Sequence, residues 1–365
     1  MLNDRIVAGF VGAGGIARSH AFALNSLKFY YEDAPQIELE SVCSITEASR
    51  DRFARHYGFN MSQDPESFLR NEKLNTIFIL GPNKVHFEYL DSVLNMISVT
   101  RIYIEKPVCS TAEEEEKILS LVDTHQEVKI QVGFQYLFST QILGALKLWK
   151  SGTIGNPVHF DIKYYHGDYL KKDYRDKRAS RLTPAPDGGA MADLGSHAIS
   201  LAVAFLGDGI EVVDTAQAGH FPDVRSDTDL FSLILAHDKR SKAVGTISSS
   251  RISPGSGDMI SFELYAEKGA LKFTTHKPDC FEYFLEEEGV WKKKVTGSDY
   301  RPFSTFPSGH VPPGWLRSMI HSHYVFLTGQ SSGSVLPDIK HGLEVQRIIR
   351  SAVNKMNHFR AKSPE

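Results

Sequence analysis

The sequence predicts an α/β chain that opens with a doubly wound parallel sheet, and three observations carry that expectation. Ile6-Val7-Ala8-Gly9-Phe10-Val11 is a short apolar run, the length of a strand buried on both faces. Gly12, Gly14 and Ala17 follow at once, and residues 16–27 carry apolar side chains at helical spacing. The alternation then repeats, with strand-like runs at 37–43, 76–80, 101–104 and 128–134 separated by helical stretches, as a parallel sheet with crossover helices requires.

At 365 residues the chain is about right for two domains and long for a single core. Hydrophobic residues make up 41% and charged residues 23%, ordinary globular values that set disorder aside. Lys plus Arg number 41 against 44 Asp plus Glu, for a net charge of −3. No long basic run accompanies that balance, so no nucleic-acid partner is expected. The Glu113-Glu114-Glu115-Glu116 run reads as a solvated first helical turn favoured by the helix dipole, and no metal site is expected. Cys43, Cys109 and Cys280 are too few and too scattered for a disulfide framework and favour a reducing compartment. Residues 5–13 read as a strand running into glycines, not as a signal peptide. No segment approaches the roughly 18 apolar residues of a membrane span. The expectation is a cytoplasmic protein without a membrane partner.

Each small residue after the first strand has its own task. Gly12 permits the tight turn, Gly14 lets the backbone approach a pyrophosphate, and Ala17 lets helix and strand pack closely. Gly15 and Ile16 open the helix, whose unpaired N–H groups and positive dipole end face the phosphates. Such a string is common by chance, but its place between a strand and a helix points to a dinucleotide. An acidic residue usually closes the second strand of such a fold and binds the adenosine ribose. Here the tip is Ser44, followed by Ile45 and Thr46, while Glu38 and Glu40 lie within the strand and Glu47 and Arg50 on the next helix. The missing acid removes a repulsion against a 2′-phosphate, which Ser44, Thr46 and Arg50 have the groups to bind. Equally, Arg50 reads as a solvated helix residue, so the cofactor is NAD or NADP. Ligands of such sheets lie beyond the carboxyl ends of the strands. Ser44, Pro82, Asn83, His86, Glu105, Lys106 and Gln135 all fall there and form the candidate cofactor site with the glycine turn.

Two further groups could carry chemistry. Lys106 follows a strand directly and precedes Pro107, which biases it toward an extended conformation. It can polarise a substrate oxygen, or it is a surface lysine paired with Glu105. Downstream, Asp187-Gly188-Gly189-Ala190-Met191-Ala192-Asp193-Leu194-Gly195-Ser196-His197 has a glycine entry and then helical apolar spacing at Met191, Leu194, Ala198 and Leu201. Asp193 and His197, four apart, project from one face of such a helix. A histidine can take a proton from an alcohol as a hydride leaves, and an acid one turn away can orient it. Alone, the same spacing also describes an ordinary Asp–His helix pair.

Taken together, these segments resemble the Gfo/Idh/MocA family of sugar and inositol oxidoreductases. The marks are the glycine turn, Gly81-Pro82-Asn83 with His86, Glu105-Lys106-Pro107, Val132-Gly133-Phe134-Gln135 and Gly188-Gly189…Asp193-Leu194-Gly195-Ser196-His197. Ala266-Glu267-Lys268-Gly269-Ala270-Leu271 and residues 337–347 extend the likeness over nearly the whole chain. The resemblance implies a Rossmann domain over 1–134 and a C-terminal α/β domain over 135–365 built on an open, mostly antiparallel sheet. Strand-like runs at 158–165, 230–236, 243–249, 260–266 and 271–274 are compatible with that sheet.

The resemblance further implies a homo-oligomer, dimer or tetramer, and hydride transfer at a secondary alcohol of a cyclic sugar, sugar derivative or inositol. Lys106, Asp193 and His197 match its catalytic trio: Lys106 on the reacting oxygen, His197 as general base or acid, and Asp193 orienting it. Gln135, Tyr136, Tyr165, His166 and Arg181 are candidates for a substrate rim with them, although Tyr164-Tyr165-His166 also reads as plain strand and loop. The Lys- and Arg-rich loop 168–181 reads as a solvated surface, with recognition of an acidic sugar as the alternative. Two other readings remain open: an NAD-dependent glycoside hydrolase of the same family, and a non-catalytic NAD(P)-binding sensor.

Overall fold

The computed structural model describes residues 5–184, 188–225, 227–297, 314–331 and 335–356. They divide into two compact units, one drawn from Met1–Ser139 and Ser298–Gly342, the other from Thr140–Gly297 and Leu343–Glu365.

The first unit alternates strand and helix: β1 (Ile6–Val11), α1 (Gly15–Tyr30), β2 (Ile37–Cys43), α2 (Glu47–Tyr57), β3 (Met61–Gln63), α3 (Pro65–Leu69), β4 (Thr76–Ile79), α4 (His86–Leu94), β5 (Arg101–Ile104), α5 (Ala112–Thr124) and β6 (Lys129–Val132). The six strands are all parallel in the order β3-β2-β1-β4-β5-β6. The order reverses between β1 and β4, which opens a crevice at the carboxyl ends of the strands. The predicted doubly wound sheet is therefore present. The continuous apolar runs arise because helices cover both faces: Ala8, Phe10, Ile77, Phe78, Ile102 and Tyr103 are all fully buried. β3 carries no apolar pattern (Met61, Ser62 and Gln63 are all half-buried), and so left no mark in the sequence.

The second unit begins with α6 (Thr140–Lys150), β7 (Pro157–Tyr165) and α7 (Lys172–Lys177). A π-helical turn, Met191–Gly195, then leads into α8 (Ser196–Leu206). β8 (Ile210–Ala218), β9 (Phe231–Asp238), β10 (Val244–Ser250), β11 (Met259–Ala266), β12 (Gly269–Thr274), β13 (Cys280–Leu285) and β14 (Val290–Val295) complete an eight-stranded sheet ordered β14-β13-β12-β11-β7-β10-β9-β8. Only β7 and β10 pair in parallel, so the sheet is mostly antiparallel. Its alternating pattern is that of a one-sided core. Phe160, Ile162 and Tyr164 point to the face that holds α8, where Phe205 packs 4.4 Å from Phe262.

Two helices end the described chain. α9 (Trp315–Thr328) lies on α1 in the first unit, with the Tyr31 and Tyr324 rings stacked at 3.9 Å. α10 (Ile339–Met356) braces the second sheet, where Arg347 donates to the Ile210 carbonyl at 2.9 Å.

Candidate active site

In the first unit the cofactor surface is built chiefly from main chain. Gly12 takes φ +115°, and a Cβ there would sit 2.8 Å from the Leu80 carbonyl carbon, so glycine is required on two counts. Gly14 is the N-cap of α1, and no side chain caps the helix or places an acid in its first turn. Nothing lies within 4 Å of a Cβ built on Gly14 or Gly15, while Ala17 is fully buried. These are an open cradle with free helix N–H groups, and they fit a dinucleotide pyrophosphate. Ile16 is half-exposed beside it.

The strand ends complete this surface. Ser44 is half-buried at the tip of β2, and Arg50 is not solvated as a bare helix residue would be: its Nη1 donates to the carbonyls of Ser44 at 3.1 Å and Ile45 at 3.4 Å. Beyond β4, Pro82 leads into a 3-10 turn, and Asn83 lies 3.4 Å from the Ser110 hydroxyl. His86 is buried, with its ring nitrogens 2.7 Å from the Pro107 carbonyl and 2.9 Å from the Gly81 carbonyl. It ties the loops after β4 and β5 together, and burial holds its pKa below the usual imidazole value.

Glu105 and Lys106 leave β5 in opposite settings. Lys106 is half-buried before a cis Lys106–Pro107 bond. Glu105 is buried, with one carboxylate oxygen 2.9 Å from His20 Nε2, and any side chain at Gly133 would meet that carboxylate at 2.7 Å. His20 Nδ1 lies 2.9 Å from His323 Nε2 on α9. A single set of tautomers satisfies both contacts with neutral rings: His323 donates to His20, and His20 donates to Glu105. Burial pushes His323 far below its ordinary pKa, consistent with that neutral ring. Sequence reasoning missed this chain, because its members lie 85 and 303 residues apart. Gln135 is buried and Tyr136 half-buried in the 3-10 turn after β6.

In the second unit the candidate groups gather at the π-turn. The expected regular helix is interrupted: residues 191–195 are wound wider, and the α-helix starts at Ser196. At the entry Gly189 takes φ +78°, with Asp229 filling the space its Cβ would need. The Asp229 carboxylate accepts from Met191 N–H at 2.7 Å and its carbonyl from Ala190 N–H at 2.9 Å. Burial raises the Asp229 pKa to about 6. Asp187 lies outside the described residues.

Asp193 is partly exposed and accepts from Arg251 Nη2 at 2.8 Å, with Arg181 Nη1 at 3.5 Å from the same oxygen. His197 is buried one turn on, 5.8 Å between ring centroids from Tyr164. His166, buried after β7, accepts from Asp168 N–H at 3.3 Å, and burial lowers its pKa. Tyr165 is placed differently. Strand alternation turns it to the opposite face from Tyr164, where its hydroxyl lies 2.8 Å from Ser248 Oγ. The structure therefore gathers Asp193, His197, Arg181 and His166 on one side of the sheet and leaves Tyr165 on the other. Arg251, Asp229 and Tyr164 join them without having been singled out. An arginine directly after a strand was the one available signal.

Known proteins share both units. Residues 6–134 match the model of the oxidoreductase family with an NAD-binding Rossmann fold, and residues 142–272 match the GFO/IDH/MocA C-terminal domain. Levoglucosan dehydrogenase of Pseudarthrobacter phenanthrenivorans is 23% identical over 93% of both chains. Glucose-6-phosphate 3-dehydrogenase of Bacillus subtilis is 23% identical over 75% of this chain and 76% of its own. Among solved structures, levoglucosan dehydrogenase in complex with NADH and levoglucosan superposes with a TM-score of 0.85, at 20% identity over 97% of this chain and 98% of that one. An inositol dehydrogenase homolog complexed with NAD+ from Azotobacter vinelandii gives 0.81, at 17% identity over 98% and 96%. The chain belongs to the GFO/IDH/MocA oxidoreductase family, with an NAD-binding Rossmann domain followed by the family's C-terminal domain.

Proposed function

We propose that this protein catalyses reversible, NAD(P)-dependent oxidation of a secondary alcohol on a cyclic sugar, sugar derivative or inositol. The observation that carries the reading is the π-turn, which presents Asp193 and His197 on a sheet surface already furnished with Arg181 and His166. Relatives named as dehydrogenases of levoglucosan, glucose 6-phosphate and inositol support the substrate class.

The nicotinamide, when bound, accepts a hydride in oxidation and donates one in reduction. Gly12, Gly14, Gly15 and the first turn of α1 hold its pyrophosphate, and Ser44 faces the adenosine end. Lys106 donates a hydrogen bond to the reacting oxygen, which favours its ionisation as the carbon loses hydride. His197 takes the hydroxyl proton in oxidation and returns it in reduction. Asp193 stabilises the imidazolium that forms. Gln135, Tyr136 and His166 line the substrate.

The test is a screen of sugars, sugar acids and inositols, including levoglucosan, myo-inositol and glucose 6-phosphate, with NAD and NADP in parallel. Appearance of reduced nicotinamide with one of them supports the reading. Release of a cleaved glycoside without net cofactor reduction would replace it with the hydrolase reading.

We also propose a cytoplasmic homo-oligomer. Among the described residues no helix is long and apolar enough to cross a membrane, and the three cysteines are buried and form no disulfide. Val244, His159, Tyr265, Ala270, Phe284 and Trp291 form a row across the second sheet on the face away from α8, and Val244, Tyr265 and Trp291 are exposed. Light scattering after gel filtration tests this, and a monomer mass would reject it.

A further inference from the structure

We propose that Arg251 is a positioning residue for this reaction: from the carboxyl end of β10 it holds the Asp193 carboxylate and the main chain of Arg181 in one geometry, and so sets the charge that His197 experiences. The proposal rests on His197 as the proton-transfer group, and its test can fail separately from that assignment.

Arg251 is 1% exposed, and an arginine cannot shed its charge on burial. Its guanidinium donates to Asp193 Oδ2 at 2.8 Å and to the Arg181 carbonyl at 2.9 Å. The ring centroid of Tyr169 lies 4.7 Å from its Cζ, an orientation that favours a cation over the ring face. The main chain is held as well: Arg251 N–H donates to the Leu230 carbonyl at 2.8 Å, and Tyr169 N–H donates to the Arg251 carbonyl at 3.1 Å. Its Nε is buried with no hydrogen-bond partner among the described residues. Asp193 is the carboxylate that accepts from the guanidinium, and the buried Asp229 carboxylate also feels its charge.

Asp193 consequently sits between two unlike cations. Arg251 is buried and fixed, whereas the Arg181 side chain is 57% exposed and meets the same oxygen only at 3.5 Å. Among the described residues, titratable groups around the turn include Asp229 at its entry, Tyr164 on β7, His166 after it, and Tyr169 beneath the guanidinium. Loss of the inner cation leaves the Asp193 charge less compensated one turn ahead of His197. It also removes a positive charge from that neighbourhood. Both changes favour the imidazolium, so the two effects have the same sign.

The experiment is titration of histidine-labelled protein by NMR, with the His197 signal assigned from His197→Gln. In Arg251→Gln the His197 midpoint is expected to rise by about half a pH unit or more. Arg251→Lys keeps a point charge but loses the two-pronged grip. Its midpoint stays near the wild-type value, while turnover on the substrate found in the screen falls about tenfold and the dissociation constant for the cofactor is unchanged. An unmoved midpoint in Arg251→Gln, or wild-type turnover in both variants, overturns the proposal. Where Arg251→Gln does not fold, Arg251→Lys decides by the same split between turnover and cofactor binding. Wild-type turnover in His197→Gln would instead remove the base assignment, leaving the measured charge coupling to stand by itself.

Discussion

The two units build their functional surfaces by opposite means. In the parallel-sheet unit the cofactor surface is mostly main chain: a left-handed glycine, an uncapped helix start and strand-end loops. In the antiparallel unit the surface depends on side chains that reach across long stretches of sequence, such as Arg251 to Asp193 and the Asp229 carboxylate to the Met191 N–H. A main-chain site needs small residues in a fixed local order. A side-chain site needs only that folding bring the right groups together. The first kind is therefore written as a local motif and the second is not.

Substitutions can break this contrast, and the largest effect is expected in the second unit. His197→Ala should lower turnover by about 10²–10⁴-fold while cofactor still binds, and Lys106→Ala should lower it while leaving the fold intact. Steady-state kinetics beside fluorescence titration of the cofactor checks both. Wild-type turnover in either variant would sink the role given to that residue.

Next come the glycines, which separate folding from binding within one motif. Gly12→Ala places a Cβ against the Leu80 carbonyl at positive φ and should cost about 1–3 kcal/mol of stability as well as cofactor affinity. Gly14→Val fills open space, so its melting temperature should stay close to wild type while the cofactor dissociation constant rises at least about tenfold. Equal melting temperatures for the two variants would contradict the division.

The pH dependence of stability sharpens the description of the second unit. Asp229 has a folded pKa raised by burial from 3.8 to about 6. Its contribution is therefore fully present below about pH 4 and is lost as pH rises through about 6, a change of about 3 kcal/mol. Asp229→Asn keeps an acceptor for the Met191 N–H and should flatten the denaturation midpoint across that window. A wild-type slope in the variant would show that another group carries it.

The smallest effect concerns the cofactor's adenosine end. Ser44→Asp restores an acid to the tip of β2 and should shift the NAD-to-NADP affinity ratio toward NAD by about tenfold. Its measured dissociation constants will also show whether Arg50, held on the Ser44 and Ile45 carbonyls, contributes to a 2′-phosphate.

Several elements were legible because their cause is local. β1 carries its apolar run end to end, and β2 and β5 fill the segments 37–43 and 101–104 read as strands. β8 was missed because a register shift between Val212 and Asp214 breaks its alternation, and β14 because Lys292, Lys293 and Lys294 give it none. The π-turn was missed because apolar spacing in so short a segment does not distinguish a widened turn from an α-helix. Tyr165 was grouped with His166 as a neighbour in sequence, although strand alternation sends neighbours to opposite faces.

By itself, the sequence determined that this chain makes a dinucleotide turn, that a parallel sheet follows it, and that Asp193 and His197 sit one helical turn apart. Each depends on steric or periodic rules acting over a few residues. Tertiary structure decided what those groups touch: His323 and Glu105 about His20, Asp229 under the π-turn, and Arg251 on Asp193. Buried polar groups must find partners wherever the fold supplies them, and no local pattern records which distant residue that will be.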